Sequence, residues 1–335
     1  MEDLTNTDFK YTEKMYAAYS SIGCNKAKYD WNAGFRFENS FSELKNSIHA
    51  SQFSLLPFVV CNIKLPLHQA IKLSLSRTVR RPDIFQLNPT QTMDSPFTLS
   101  SGNPSLKPEF RTVAYAEYSK SFNSNFISLK SFYNCITDAI NNLTLPYDTI
   151  LVKTSPFNLG TIHQYGMQIS GSMEIDKLIT FTPYLRLYGQ YTEGNTLAMH
   201  YSIKDRNQLV AETGISAIAS FKYDISLIVN CVYNSPRNNI QDNNFSDALY
   251  FVTLQKIFKK SIKVGVTSGL AFTKNFTYSG SEIKDPDFSS YDRGTIHVPD
   301  LLLMFNLNYS FHSGKKAAKI RHAEIETDPL PQKGF

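Results

Sequence analysis

The sequence predicts an all-β fold, an antiparallel up-and-down transmembrane β-barrel. Three features carry that expectation: a composition suited to strands, period-two alternation of apolar and polar residues, and connections that switch regularly between short and long. Tyr (19) and Phe (24) far outnumber Trp (1), and Asn, Ser and Thr are frequent, which favours strands and turns over helices. The formal net charge of +5 is scattered through loops instead of gathered on one face, so the electrostatic footprint of a nucleic-acid binder is missing. The longest apolar stretch lies near "LLPFVV", well short of the roughly 18 apolar residues a spanning helix needs. A soluble β protein and a membrane barrel are left.

Alternation marks the strands. In "SIKVGVTSGLAFTKN", Ile262, Val264, Val266, Leu270 and Phe272 share one side, and Lys263, Gly265, Thr267 and Thr273 the other. The last pattern sets Leu301, Leu303, Phe305, Leu307, Tyr309 and Phe311 against Met304, Asn306, Asn308 and Ser310. Strands are expected at 10–22, 28–39, 51–63, 68–78, 109–121, 125–138, 148–174, 178–192, 207–221, 224–234, 246–258, 261–274 and 296–311, about thirteen in all. Between them, short connections such as "SFNSN", "EIDKL", "KYD" and "KK" alternate with long ones at 79–108, 193–206, 235–245 and 275–295. A Greek-key sandwich would not sort its loops this way, whereas an outer-membrane barrel has tight periplasmic turns and long external loops.

Chemistry-bearing residues are sparse. Cys24, Cys61, Cys135 and Cys231 are far apart and form no Cys-x-x-Cys pair, so they read as small apolar strand residues, with long-range disulfides as the alternative. The seven His residues show no ligand spacing, and neither metal nor cofactor is expected. His163, His200 and His297 have acidic or hydroxyl neighbours only at spacings chance supplies, so no enzyme is expected.

The prolines between two strand patterns carry a resemblance. "SLSRTVRRPDIFQLNP" followed by "SSGNPSLKPEF" is similar to a segment of Bacteroidota-type TonB-dependent outer-membrane receptors, at Arg77, Arg81, Pro82, Leu87, Asn88, Pro89, Gly102, Asn103, Pro104, Leu106, Pro108 and Glu109. "WNAGFRFE", "SFYNCITDAI", "NLGTIHQYGMQISGSM" and "LNYSFHSGKK" resemble further strands of that family, so the similarity covers roughly residues 10–316. Residue by residue, the four prolines at 82, 89, 104 and 108 remove backbone donors and forbid continued pairing, which makes the segment an external loop. Gly102 is free to adopt φ > 0, and Asn103 to bond nearby backbone. The motif either shapes the barrel rim or, through Arg80, Arg81 or Glu109, touches a ligand.

The resemblance implies a 22-stranded barrel with an N-terminal plug that engages TonB and imports a siderophore, glycan, cobalamin or peptide. This chain contains no such plug, so by analogy it is the C-terminal barrel portion, about thirteen strands at residues 1–311, followed by a periplasmic disordered tail at 312–335. "MEDLTNTDFKYTEK" lacks an apolar h-region, which fits a piece of a longer protein better than the alternative, a complete passive channel of about fourteen strands. Expected partners are outer-membrane lipid, an extracellular nutrient ligand met by the long loops, and TonB only through the missing plug. Tyr184, Arg186, Tyr188 and Gln190 would line the ligand's path.

Overall fold

The computed structural model describes residues 10–44, 48–176, 178–259, 261–270, 273–285, 288–298 and 302–311. The expected tail at 312–335 lies outside them. Strands β1 (Tyr11–Asn25), β2 (Tyr29–Leu44), β3 (Ile48–Leu65) and β4 (Gln69–Arg80) begin a wall. A short helix α1 (Ile84–Leu87) and a hairpin of β5 (Thr92–Ser95) and β6 (Thr98–Ser100) occupy the next connection. The wall resumes with β7 (Glu109–Phe122), β8 (Asn125–Pro146), β9 (Val152–Ile175) and β10 (Ile179–Gly194), and α2 (Thr196–His200) follows. Next come β11 (Arg206–Phe221) and β12 (Ile225–Asn234), then β13 (Arg237–Asn238) and β14 (Asp242–Phe245) in a loop. Wall strands β15 (Leu249–Phe258) and β16 (Ile262–Gly269), loop strands β17 (Asn275–Lys284) and β18 (Ser289–His297), and wall strand β19 (Leu302–Tyr309) complete the chain.

Among the described residues the wall pairs each strand with the next in sequence: β1, β2, β3, β4, β7, β8, β9, β10, β11, β12, β15, β16 and β19. The sheet is antiparallel and open, with β1 and β19 as its outer strands. Every expected strand has a counterpart. At one end the wall strands are joined by turns of two or three residues, and Leu67, His68, Asn123, Asp176, Tyr223, Asp224 and Lys259 take positive φ there. Such left-handed residues are what tight hairpins need to match strand twist. The opposite end carries residues 81–108, 147–151, 195–205 and 235–248, together with the described residues 270, 273–285 and 288–298.

Three expectations need correction. Residues 139–146, read as a connection, continue β8 past a bulge where Asp138 has φ 53, and β9 carries the matching break at Gly160. β8 and β9 therefore reach 22 and 24 residues, about twice the 9–11 that cross a bilayer, and their far halves stand above the wall. Strand 261–274 ends at Gly269, because Leu270 turns to φ 54 and buries its side chain with Phe276 and Val298. Residues 296–297 belong to β18, not to the last wall strand. That strand and β17 join β13 and β14 in a separate four-stranded sheet built from two long loops.

The wall has two unlike faces. Leu129, Ile169 and Leu185 stand opposite one another on β8, β9 and β10 and are exposed at 44%, 47% and 38%. Phe35, Leu55, Leu75, Met167 and Leu187 extend this bare apolar surface. A patch this wide suits a hydrocarbon environment, not water. The other face is polar and folded over by the loops.

Candidate functional site

Register places the polar face in rows. Asn134, Gln164, Gln190 and Gln208 lie directly opposite one another across β8 to β11. Arg111 Nε–H donates to Asn134 Oδ1 (2.9 Å), Asn134 Nδ2–H to Gln164 Oε1 (2.8 Å), and Gln164 Nε2–H to Gln190 Oε1 (2.8 Å). One step towards the turns, Phe132, Gly166, Tyr188 and Val210 form the next row. The absence of a side chain at Gly166 lets the Phe132 and Tyr188 rings meet edge-on across β9 at 6.0 Å. Below it, the Arg186 guanidinium lies 4.2 Å from the Phe132 ring centre and 3.2 Å from Glu212 Oε2, and Tyr188 O–H donates to Glu212 Oε1 (2.9 Å). Arg186, Tyr188 and Gln190 thus lie on the side opposite Leu185 and Leu187, and Tyr184 sits across from Gly214 in the row below. Asn134, Gln164, Arg186 and Tyr188 thus find partners on neighbouring strands.

The motif segment is a strap. Asp83 and Gln86 form a reciprocal capping box that starts α1, and Leu87 is buried. Asn88 accepts Gly102 N–H at its carbonyl oxygen (2.7 Å) and Thr90 N–H at its side chain (3.1 Å). Gly102 does not take positive φ, contrary to expectation. Glycine is needed because a Cβ there would lie 2.5 Å from Asn88 O and 2.7 Å from Gln86 O, both backbone atoms. Asn103 does bond backbone: its Nδ2–H donates to Pro156 O (3.1 Å), and its Oδ1 accepts from Ser105 N–H (2.9 Å). Asn158 Oδ1 accepts from Lys107 N–H (2.8 Å), and β6 pairs in parallel with β9, so the strap crosses the tops of β7 and β8.

The motif charges are paired within the protein. Arg81 lies 2.7 Å from Glu38 Oε2 on β2 and 3.1 Å from Glu13 Oε1 on β1, drawing the strap over the polar face. Arg80 pairs with Glu109 (2.5 Å), whose other oxygen accepts Ile140 N–H (2.9 Å) at the β8 bulge. Arg77 stacks on Phe110 at 4.5 Å. Pro82, Leu106, Pro104 and Pro108 line a small cavity of about 90 Å3 with Arg81. Pro89, beside Asn88, is exposed at the strap's outer side.

A second strap covers the same face from the other side. Gln208 Oε1 accepts Asn238 N–H (2.7 Å) and its Nε2–H donates to Pro236 O (2.6 Å); Gln190 Nε2–H donates to Asn238 O. Arg206 donates to the carbonyls of Gln241 (2.6 Å) and Asp242 (3.2 Å). The buried Gln241 amide then mimics a β partner for Thr144, accepting its N–H (2.8 Å) and donating to its C=O (2.9 Å). Beside it, Leu143, Leu159, Ala198, Ile203 and Ile240 form a small core between three loops. Burying each of its larger aliphatic side chains contributes about 1.5–3 kcal/mol.

The sequence matches the model of the outer membrane protein β-barrel family over residues 2–309. The chain belongs to that family. Its place is therefore the Gram-negative outer membrane. No curated protein matches the sequence. Among solved structures this barrel chain is similar to the copper transporter OprC (TM-score 0.65, 15% identity, 90% of this chain and 48% of that one). It is also similar to the FrpB iron transporter from Neisseria meningitidis, F3-3 variant (0.59, 11%, 90% and 46%). A third similar structure is the siderophore receptor PirA from Acinetobacter baumannii (0.54, 13%, 89% and 46%). These likenesses establish the fold, and the chain spans about half the length of each of these structures.

The residues missed in sequence were the partners. Asn134, Gln164 and Gln208 sit at inward positions of strand patterns, and polar residues recurring there were a usable signal. Glu38, Glu212 and Gln241 were not recognisable, since each acts on a strand or loop far away in sequence.

Proposed function

We propose that this chain is the C-terminal barrel portion of a TonB-dependent importer, in which the external straps capture a nutrient and the polar face conducts it inward. The observation that carries this reading is the way both straps fold over that face and are held there by Arg81 with Glu38 and by Gln190 and Gln208 with the 236–238 backbone. The ligands named for similar structures, copper, iron and siderophores, support an importer without naming this chain's ligand. The plug, its TonB contact and the remaining strands of a 22-stranded barrel would come from polypeptide beyond this chain. Along the wall, the path runs past the mutually hydrogen-bonded amides of Asn134, Gln164 and Gln190, and Tyr184, Arg186 and Tyr188 continue it below. Passage requires only exchange of non-covalent contacts, with no bond made or broken.

The test compares the compounds depleted from medium by cells with and without the gene, each with and without a protonophore. Depletion that needs both the gene and the proton gradient is expected. Gene-dependent depletion that ignores the gradient would refute the importer and leave a passive channel.

A further inference from the structure

A cavity of about 370 Å3 lies between the start of β11 and the loop sheet, within the roughly 300–1,000 Å3 typical of small-molecule sites. Arg206, Asn207, Asn238, Asn243, Glu282 and Lys284 line it. The register sets Asn238 opposite Asn243, Asn243 opposite Glu282, and Glu282 opposite Tyr291, so these residues form one row across β13, β14, β17 and β18. Asn243 Oδ1 is enclosed and has no hydrogen-bond partner among the described residues. The side chains of Asn207 and Asn238 likewise enter no hydrogen bond among the described residues. The Asn243 oxygen is the unusual one, because a buried polar atom without a partner costs about 1–3 kcal/mol, whereas Asn207 is exposed and Asn238 partly so.

The charges in the cavity are already answered. Lys284 Nζ lies 2.9 Å from Glu282 Oε1, and Arg206, which donates to two backbone carbonyls, has the Asp242 carboxylate as its opposite charge. The site therefore has no surplus charge to attract a strongly anionic or cationic ligand. Its open valences are paired donors and acceptors on planar amides, which match adjacent hydroxyl groups that both give and accept hydrogen bonds. At the end of the row, the 60% exposed Tyr291 ring stacks on Phe245 at 5.9 Å, over Gly280, which presents no side chain. An exposed ring held rigid from behind offers an apolar platform to the C–H face of a sugar.

We propose that this cavity binds a neutral saccharide, as the external capture site of the importer reading on which the inference rests. A peptide fits less well, since its single N–H and C=O per residue point apart along the chain and do not pair with three clustered amides.

The full chain, folded in detergent micelles and checked by its gel shift on heating, is applied to an array. The array carries neutral oligosaccharides (α- and β-linked glucans, mannans and galactans), sulfated and carboxylated polysaccharides, and peptides. Retention on a neutral saccharide is expected, weakened about tenfold or more by Asn243→Ala and by Tyr291→Ala with the gel shift unchanged. Asn243 makes no side-chain hydrogen bond among the described residues, so its replacement breaks none there. Retention confined to acidic polysaccharides or peptides overturns the saccharide assignment, and neutral binding that both variants keep overturns the site. No retention at all also overturns the proposal, while the proton-gradient assay reports separately on import.

Discussion

Gln241→Ala removes a side chain that replaces a β-strand neighbour. Thr144 is buried, and its second hydrogen-bonding edge is met by the Gln241 amide at 2.8 and 2.9 Å. Truncation strands one N–H and one C=O in an enclosed position, each costing about 1–3 kcal/mol, so the upper β8–β9 hairpin loses about 2–4 kcal/mol after partial hydration. Every 1.4 kcal/mol is a factor of about ten in an opening equilibrium, so exchange at the Thr144 amide accelerates roughly 30- to 1,000-fold. Hydrogen–deuterium exchange on the chain in micelles reads this directly, with amides of β10 at Leu185 and Leu187 as the internal reference. Gln241→Glu separates packing from pairing, because a carboxylate accepts from Thr144 N–H yet cannot donate to Thr144 O. Unchanged exchange at residues 143–145 in the alanine variant would show that the amide pairing does not hold the strap.

Gly102→Ala forces a methyl group into the Asn88 and Gln86 backbone, which cannot give way as a flexible side chain would; a loss of about 1–3 kcal/mol is expected, with faster protease cleavage within 81–108 and an intact wall. Ile169→Arg places a cation in the apolar row between Leu129 and Leu185 and costs about 2–4 kcal/mol if that row lies at mid-bilayer, read as a lower midpoint in denaturant titration in lipid vesicles. Asp148, in the exposed 147–151 turn, accepts the Ile150 and Leu151 N–H groups at 2.7 Å each, and these bonds hold its carboxyl below the usual range. A lowered folded pKa means that the turn's stabilisation is present above about pH 3.9 and is lost as pH falls through the lower folded value. The Ile150 and Leu151 amide signals in an NMR titration should shift together with that midpoint, and Asp148→Asn should abolish the dependence.

The wall was legible because its information is local. A strand buried on one face and bathed by lipid on the other alternates residue by residue, so Leu185, Arg186, Leu187 and Tyr188 announce both the strand and its two sides. The tight turns were equally legible, since a chain reversing in two or three residues must use few residues between two alternating runs. The motif around Gly102 was recognisable as a segment, but the reason for its glycine was not: the crowding comes from Asn88 and Gln86, a dozen or more residues earlier. In the sequence the long loops are only connections between strands, although β13, β14, β17 and β18 pair into a sheet of their own. β13 and β14 are only two and four residues long, and an irregularity between Thr277 and Ser279 interrupts the alternation of β17.

By itself, then, the sequence determined the strand order, the apolar and polar faces of the wall, and which end bears the loops. All of these follow from backbone pairing and side-chain period along one stretch of chain. Only the tertiary structure decided what the loops do with their length. Arg81 reaching Glu38, Gln241 completing Thr144, and Asn243 facing a cavity with Glu282 each depend on meeting a residue about forty or more positions away. Contacts of that kind are selected by shape and hydrogen-bond complementarity once the wall has brought distant segments together, and they leave no periodic trace in either segment alone.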